Sequence, residues 1–183
     1  SAFLHCSKLE SVSFPESLEE IGNNAFFYGC EKLTSLHIPA GVTKIGYEAF
    51  FDCTVLSSIT VDERNSVYDS RNNCNAIIET ATNTLVLGSG NTIIPNGVTK
   101  IGVAAFFGCQ SLHSIIIPEG VVSIEMDALS HTGITTIDFP SSLQSIGYRS
   151  FETCDKLSSV VFPENLVSID SYAFSGCRSL TSI

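Results

Sequence analysis

The sequence predicts an α/β repeat fold. It would be a right-handed curved solenoid with a parallel β-sheet on one face, short helical turns on the other, and one β-hairpin insert. Three observations predict it. Ala-Phe recurs at nearly even steps, all six prolines share one register with it, and a short alternating apolar run precedes each proline. A unit that cannot bury its own apolar face is stabilised by stacking on its neighbours.

The Ala-Phe pair stands at Ala2-Phe3, Ala25-Phe26, Ala49-Phe50, Ala105-Phe106 and Ala173-Phe174, with Ala128-Leu129 and Ser150-Phe151 as variants. The steps between these starts are 23, 24, 56, 23, 22 and 23 residues. After Pro15, Pro39, Pro95, Pro118, Pro140 and Pro163 come an apolar residue three positions on and an isoleucine three further (Ile21, Ile45, Ile101, Ile124, Ile146, Ile169). Cysteine follows the Ala at Cys6, Cys30, Cys53, Cys109, Cys154 and Cys177, with Thr132 in one unit.

Each part of the unit suggests a local structure. The run before proline alternates with the period of a strand buried on one face. Proline ends that strand because it cannot donate to a ladder. The V-x-x-I step suits a turn or short coil, and the A-F-x-x-C-x-x-L stretch has helical spacing of one or two turns. Successive strands then lie in parallel, about 4.8 Å apart.

The long step holds one unit plus 33 further residues, 62–94. Ala76-Ile77-Ile78-Glu79 and Thr84-Leu85-Val86-Leu87 flank Thr80-Ala81-Thr82-Asn83, which reads as a hairpin. The insert is expected to replace the helical half of one coil. Insertions in solenoids map to one face and often serve binding. Asp69 to Asn75 superficially resembles a calcium loop but lacks the required Gly and Glu, so it reads as a plain polar loop.

The chain is 44% hydrophobic and 15% charged, enough for a real core, with no run long enough to span a membrane. Its net charge of −10 argues against nucleic acid and against an anionic membrane surface. Seven cysteines cannot all pair with one another. The column reads as buried packing, since cysteine behaves as a small hydrophobe. No C-x-x-C pair suggests zinc. Cys74, in the polar insert, is expected to be exposed.

Two outward columns flank the buried strand positions. One is a hydroxyl column, Ser11, Ser35, Ser58, Ser114, Thr136, Ser159 and Ser182, read as a hydrogen-bonding ladder along the strands. The other varies from unit to unit: Ser13, His37, Thr60, Ile116, Asp138 and Val161. Variation on a fixed scaffold is where repeat proteins place specificity, so this column is the candidate ligand-contact surface. Second Phe residues at Phe27, Phe51 and Phe107 read as half-buried packing on the convex side.

No catalytic constellation, metal site or cofactor motif emerges: G-x-S-x-G, H-E-x-x-H, P-loop and G-x-G-x-x-G are all missing. The acidic residues Glu16, Glu119 and Glu164 are spread over distant coils rather than grouped as a glycoside hydrolase requires.

The unit I-P-x-x-V-x-x-I-G-x-x-A-F-x-x-C resembles the BspA-like class of bacterial leucine-rich repeats over essentially the whole chain, and the insert from Asn65 to Thr80 resembles a segment recurring in that family. The resemblance implies a leucine-rich-repeat solenoid from a secreted or cell-surface protein, of the kind described as adhesins for host proteins or other cells. It carries no catalytic residues. Glu125 and Asp170 for Gly, Leu129 for Phe, and Thr132 for Cys depart from the pattern at scaffold columns.

The expected function is therefore a non-enzymatic extracellular interaction module with a protein partner. A structural spacer or stalk is the alternative, and a carbohydrate-active enzyme a remote one. The chain starts and stops inside a unit, which predicts one solenoid, 1–183, cut from a longer array. Its ends would expose Phe3, Leu4, Leu180 and Ile183 and associate end to end.

Overall fold

The computed structural model describes residues 2–26 and 30–183. Its coils stack as the repeat predicts, with both long walls built from strands. The first wall is formed by the runs before proline. There β2 (Ser35–Ile38) pairs with β4 (Ser58–Val61), and β10 (Ile137–Asp138) with β12 (Val160–Val161), all parallel. Leu36, Ile38 and Ile59 point inward while Ser35, His37, Ser58 and Thr60 point out, the alternation expected of a one-sided strand.

The V-x-x-I step, read as a turn or coil, is instead the second wall. After a tight turn such as Val121 N–H to Pro118 C=O, each isoleucine is the second residue of a two-residue strand. In this wall lie β1 (Glu20–Ile21), β3 (Lys44–Ile45), β8 (Lys100–Ile101), β9 (Ser123–Ile124), β11 (Ser145–Ile146) and β13 (Ser168–Ile169). Ile101, Ile124, Ile146 and Ile169 are direct partners across parallel pairs. Two residues suffice for a strand here because the ladder runs across coils, not along one segment.

The expected helical turns are not there. The one helical segment among the described residues is a 3-10 turn at Arg71–Asn73. The A-F-x-x-C stretch has the apolar spacing of a helix, but it holds left-handed residues at two corners. One precedes the Ala (Asn24, Glu48, Ala104, Asp127, Arg149, Tyr172, with φ between 50° and 61°). The other lies three after it (His5, Asp52, Gly108, His131, Thr153, Gly176). A left-handed residue ends an α-helix. The amides go to the next coil instead: Ala104 N–H to Met126 C=O (2.9 Å), Phe106 to Ala128 (2.8 Å) and Gly108 to Ser130 (2.9 Å), repeated at Asp127, Leu129 and His131. The convex side is thus a ladder of turns.

Phe26, Phe106 and Phe151 are fully buried. Phe3 stacks on Phe26 at 4.7 Å, Phe26 on Phe50 at 5.2 Å, and Phe151 on Phe174 at 5.0 Å. All seven cysteines are free thiols. Of the column, Cys30, Cys53, Cys109 and Cys154 are buried as expected, while Cys6 and Cys177 in the end coils are half-buried. Several donate to the carbonyl of the aromatic column one coil earlier: Cys30 to Phe3, Cys53 to Phe26, and Cys177 to Phe151. Burial pushes the Cys53 and Cys109 thiols above the ordinary range. Thr132 instead donates within its own coil, to Leu129 C=O at 2.8 Å, and lies 3.3 Å from Cys154 Sγ.

The insert forms the expected hairpin, β6 (Ile77–Glu79) antiparallel to β7 (Thr84–Leu87), with β5 (Tyr68–Asp69) on the outer side of β6. It joins the second wall through β7 and β8, giving one seven-stranded sheet in the order β13-β11-β9-β8-β7-β6-β5. Ile77 and Ile78 are both fully buried, on opposite faces. The core is accordingly two clusters. Ile77 and Leu87 belong to the N-terminal one, Ile78 and Leu85 to the C-terminal one.

Cys74 is buried, 2% exposed, which corrects the expectation of an exposed thiol in a polar loop. The loop is fastened by its own amides. Asn75 accepts from Ile59 N–H at 2.6 Å and donates to Ser57 C=O, while Asn65 donates to Pro39 and Val42 C=O. Polar side chains that cap cut-off backbone ends draw the segment inward, and the thiol goes with it.

Candidate interaction surface

The first wall carries the variable column outward. His37 pairs in register with Thr60, Asp138 pairs with Val161, and Ile116 bridges to Asp138. Ser13, in the N-terminal coil, is exposed but belongs to no strand. All six predicted residues are solvent-exposed. The structure therefore assembles two patches, His37–Thr60 and Ile116–Asp138–Val161.

Between them lies a residue that sequence reasoning missed. Ile93 is 77% exposed, in the same column as Ile116 at 87% and Val161 at 78%. Its signal was available: it stands two before Pro95, as His37 stands two before Pro39, but the insert hid the period. Three large aliphatic side chains thus interrupt an otherwise polar column. Exposed apolar groups of this size gathered on one wall mark interaction surfaces.

The hydroxyl column reads differently from its expectation. Among the described residues, Ser35, Ser58, Ser114, Thr136, Ser159 and Ser182 make no side-chain hydrogen bond. The hydroxyl ladder lies one residue earlier: Ser57 donates to Thr34 C=O, Ser158 to Thr135 C=O and Thr181 to Ser158 C=O, at 3.2–3.3 Å. The predicted column is left free, so a partner meets one row of unengaged hydroxyls beside the variable column.

At the rim the charges are fixed. His37 Nδ1 lies 2.9 Å from Thr60 Oγ1. Arg64 bonds Asp62 at 2.8 Å and reaches Glu16 at 3.4 Å. The guanidinium of Arg64 holds the Asp62 carboxyl down at about 2. Glu119 accepts from Ser141 N–H and Oγ–H at 3.0 Å, bonds that lower its pKa and spend its carboxylate on the next coil's turn. Among the described residues, no group of three or more His, Cys, Asp or Glu is placed to hold a metal ion. No described helix is long and apolar enough to cross a membrane.

On the convex side Phe51 is buried rather than half-buried, and Phe107, half-buried as predicted, stacks on it at 3.9 Å. Phe27 lies outside the described residues. At the ends, Leu4 and Ile183 are exposed, whereas Phe3 and Leu180 are half-buried against their coils.

Among solved structures, a leucine-rich cell surface protein from Faecalibacterium prausnitzii A2-165 is similar over 98% of this chain and 54% of its own, with 31% identity and a TM-score of 0.80. The pneumococcal vaccine antigen PcpA shares the fold over 90% of this chain and 41% of its own, at 21% identity and a TM-score of 0.81. A leucine-rich repeat protein from Eubacterium ventriosum ATCC 27560 does so over 92% and 52%, at 21% identity and a TM-score of 0.70. The chain spans about half the length of these proteins or less. No curated protein sequence matches it. The family model for the BspA type leucine rich repeat region matches in six copies over residues 1–85 and 88–183. With the repeat columns, the stacked coils and this match in agreement, the chain belongs to the BspA-type leucine-rich repeat family.

Proposed function

We propose that this chain is a non-catalytic protein-binding module displayed on a bacterial cell surface, acting as an adhesin toward host or neighbouring-cell proteins. The observation that carries the reading is the exposed aliphatic set Ile93, Ile116 and Val161 on the variable column, with Asp138 between Ile116 and Val161 and with His37 and Thr60 in the coils before the insert. Large exposed aliphatic side chains set among polar ones on one wall mark an interaction surface. The description of the Faecalibacterium relative as a cell surface protein supports the location.

The test is a binding screen of the purified chain against immobilised extracellular-matrix and plasma proteins, repeated with an Ile116→Asp/Val161→Asp variant. We expect at least tenfold weaker binding of the variant with an unchanged melting temperature. Undiminished binding by the variant would remove this face from the reading. Failure of the wild type to bind any protein in the panel would favour a stalk that holds other domains away from the cell.

A further inference from the structure

The convex ladder is open where the coil of Glu48 meets the insert: among the described residues the N–H groups of Glu48, Phe50 and Asp52 donate to no carbonyl of the next level. In the regular stack the residue before each Ala donates its N–H to the coil above: Asn24 to Tyr47, Ala104 to Met126, Asp127 to Tyr148 and Arg149 to Ser171, at 2.9–3.2 Å. Glu48 is in the same position with the same left-handed backbone, yet its N–H has no hydrogen-bond partner among the described residues. Val103 C=O, which stands where Tyr47 and Met126 accept, has none either.

The insert creates this opening. At its level the chain passes from Leu85, which accepts from Gly102 N–H, to Gly88, which donates to Ala105 C=O. A regular coil takes five residues for that passage, Ile101 to Phe106, and the insert takes three. The level rejoins the C-terminal stack at Gly88 but lacks the stretch that would lie between Glu48 and Val103. What remains is a cleft of about 170 Å³ lined chiefly by Ile45, Phe51, Val86, Val103 and Ala104, with Glu48 on one lip.

The polarity of the two open groups defines an occupant. In the regular ladder, the C=O that accepts from one coil and the N–H that donates to the next belong to a single peptide unit. A trans peptide inserted here would accept from Glu48 N–H and donate to Val103 C=O, completing the ladder as strand addition completes a sheet edge. The apolar walls favour small aliphatic side chains on either side of it. A peptide unit also relieves a cost, because a half-buried backbone group without a partner is destabilising.

We propose that this cleft binds one backbone unit of an extended, alanine- or valine-rich segment of a partner protein, independently of the variable column. The probe is N-acetyl-alanyl-alanine N-methylamide, titrated into the ¹⁵N-labelled chain. The expected result is saturable shifts of the Glu48 and Phe50 amides, with affinity at least tenfold weaker in Val86→Phe and in Val103→Phe, which fill the cleft from opposite sides, at unchanged melting temperature. Either variant alone serves if the other does not fold. The proposal is overturned if those amides do not shift saturably, if the folded variants bind undiminished, or if acetamide binds as tightly as the dipeptide.

Discussion

The stack from Lys100 onward and the junction between Glu48 and Ala104 are built from the same columns but solve them differently. In the stack every coil answers its neighbour: Phe106, Leu129 and Phe151 each donate to the coil above at 2.8 Å, and Phe151 and Phe174 lie 4° from parallel. At the junction a glycine occupies the aromatic place. A Cβ on Gly88 would sit 2.1 Å from Phe106 Cε1, so the ring of Phe106 has taken the space that a side chain on this level would fill. Cys109, with no aromatic residue one coil earlier, turns its thiol to Ser111 Oγ at 3.5 Å. The difference teaches that the hairpin is no appendage. It replaces a coil, and it does so by burying both faces of β6.

The comparison breaks most visibly at the core. Phe106→Ala should cost about 3–5 kcal/mol, read from urea denaturation, because this ring packs on both the stack and the junction. A loss under about 1 kcal/mol would place it outside the core. Ile77→Ala and Ile78→Ala should each cost about 2–5 kcal/mol. Native-state hydrogen exchange should distinguish them, since the first loosens the N-terminal cluster and the second the C-terminal one. Identical exchange patterns would mean the two clusters act as one.

Gly88→Ala should lose about 1–3 kcal/mol as Phe106 is forced aside, whereas Gly22→Ala, where a Cβ meets nothing within 4 Å, should change stability by less than about 0.5 kcal/mol. Equal losses would show that the junction is no tighter than the regular coils. Smallest of all, Ile93→Ser and Ile116→Ser should leave the melting temperature unchanged within error, because both side chains already face water.

Much of this architecture was legible because it is periodic. Columns such as Ile101, Ile124 and Ile146 announce themselves by spacing, and the hairpin by its alternation around Thr80–Asn83. The convex turns were not legible. Their left-handed corners fall on Asn24, Glu48, Asp127, Arg149 and Tyr172, residue types that signal nothing in common, and the spacing of A-F-x-x-C imitates a helix. What decides the backbone there is the neighbouring coil, which a local reading does not contain. Cys74 was misread for a similar reason: its burial depends on Asn75 and Asn65 bonding to segments 16 to 26 residues away. On the candidate surface, the varying column was readable and Ile93 was not, since it belongs to the coil whose period the insert obscures.

The outer ladder also governs how such a protein can change length. A duplicated coil arrives with donors on one rim and acceptors on the other, so it splices between any two regular neighbours without new complementarity having to evolve. Beside Leu87–Gly88 that freedom ends. A copy added there would inherit an unmatched edge, and the chain could lengthen on either flank far more readily than across its middle.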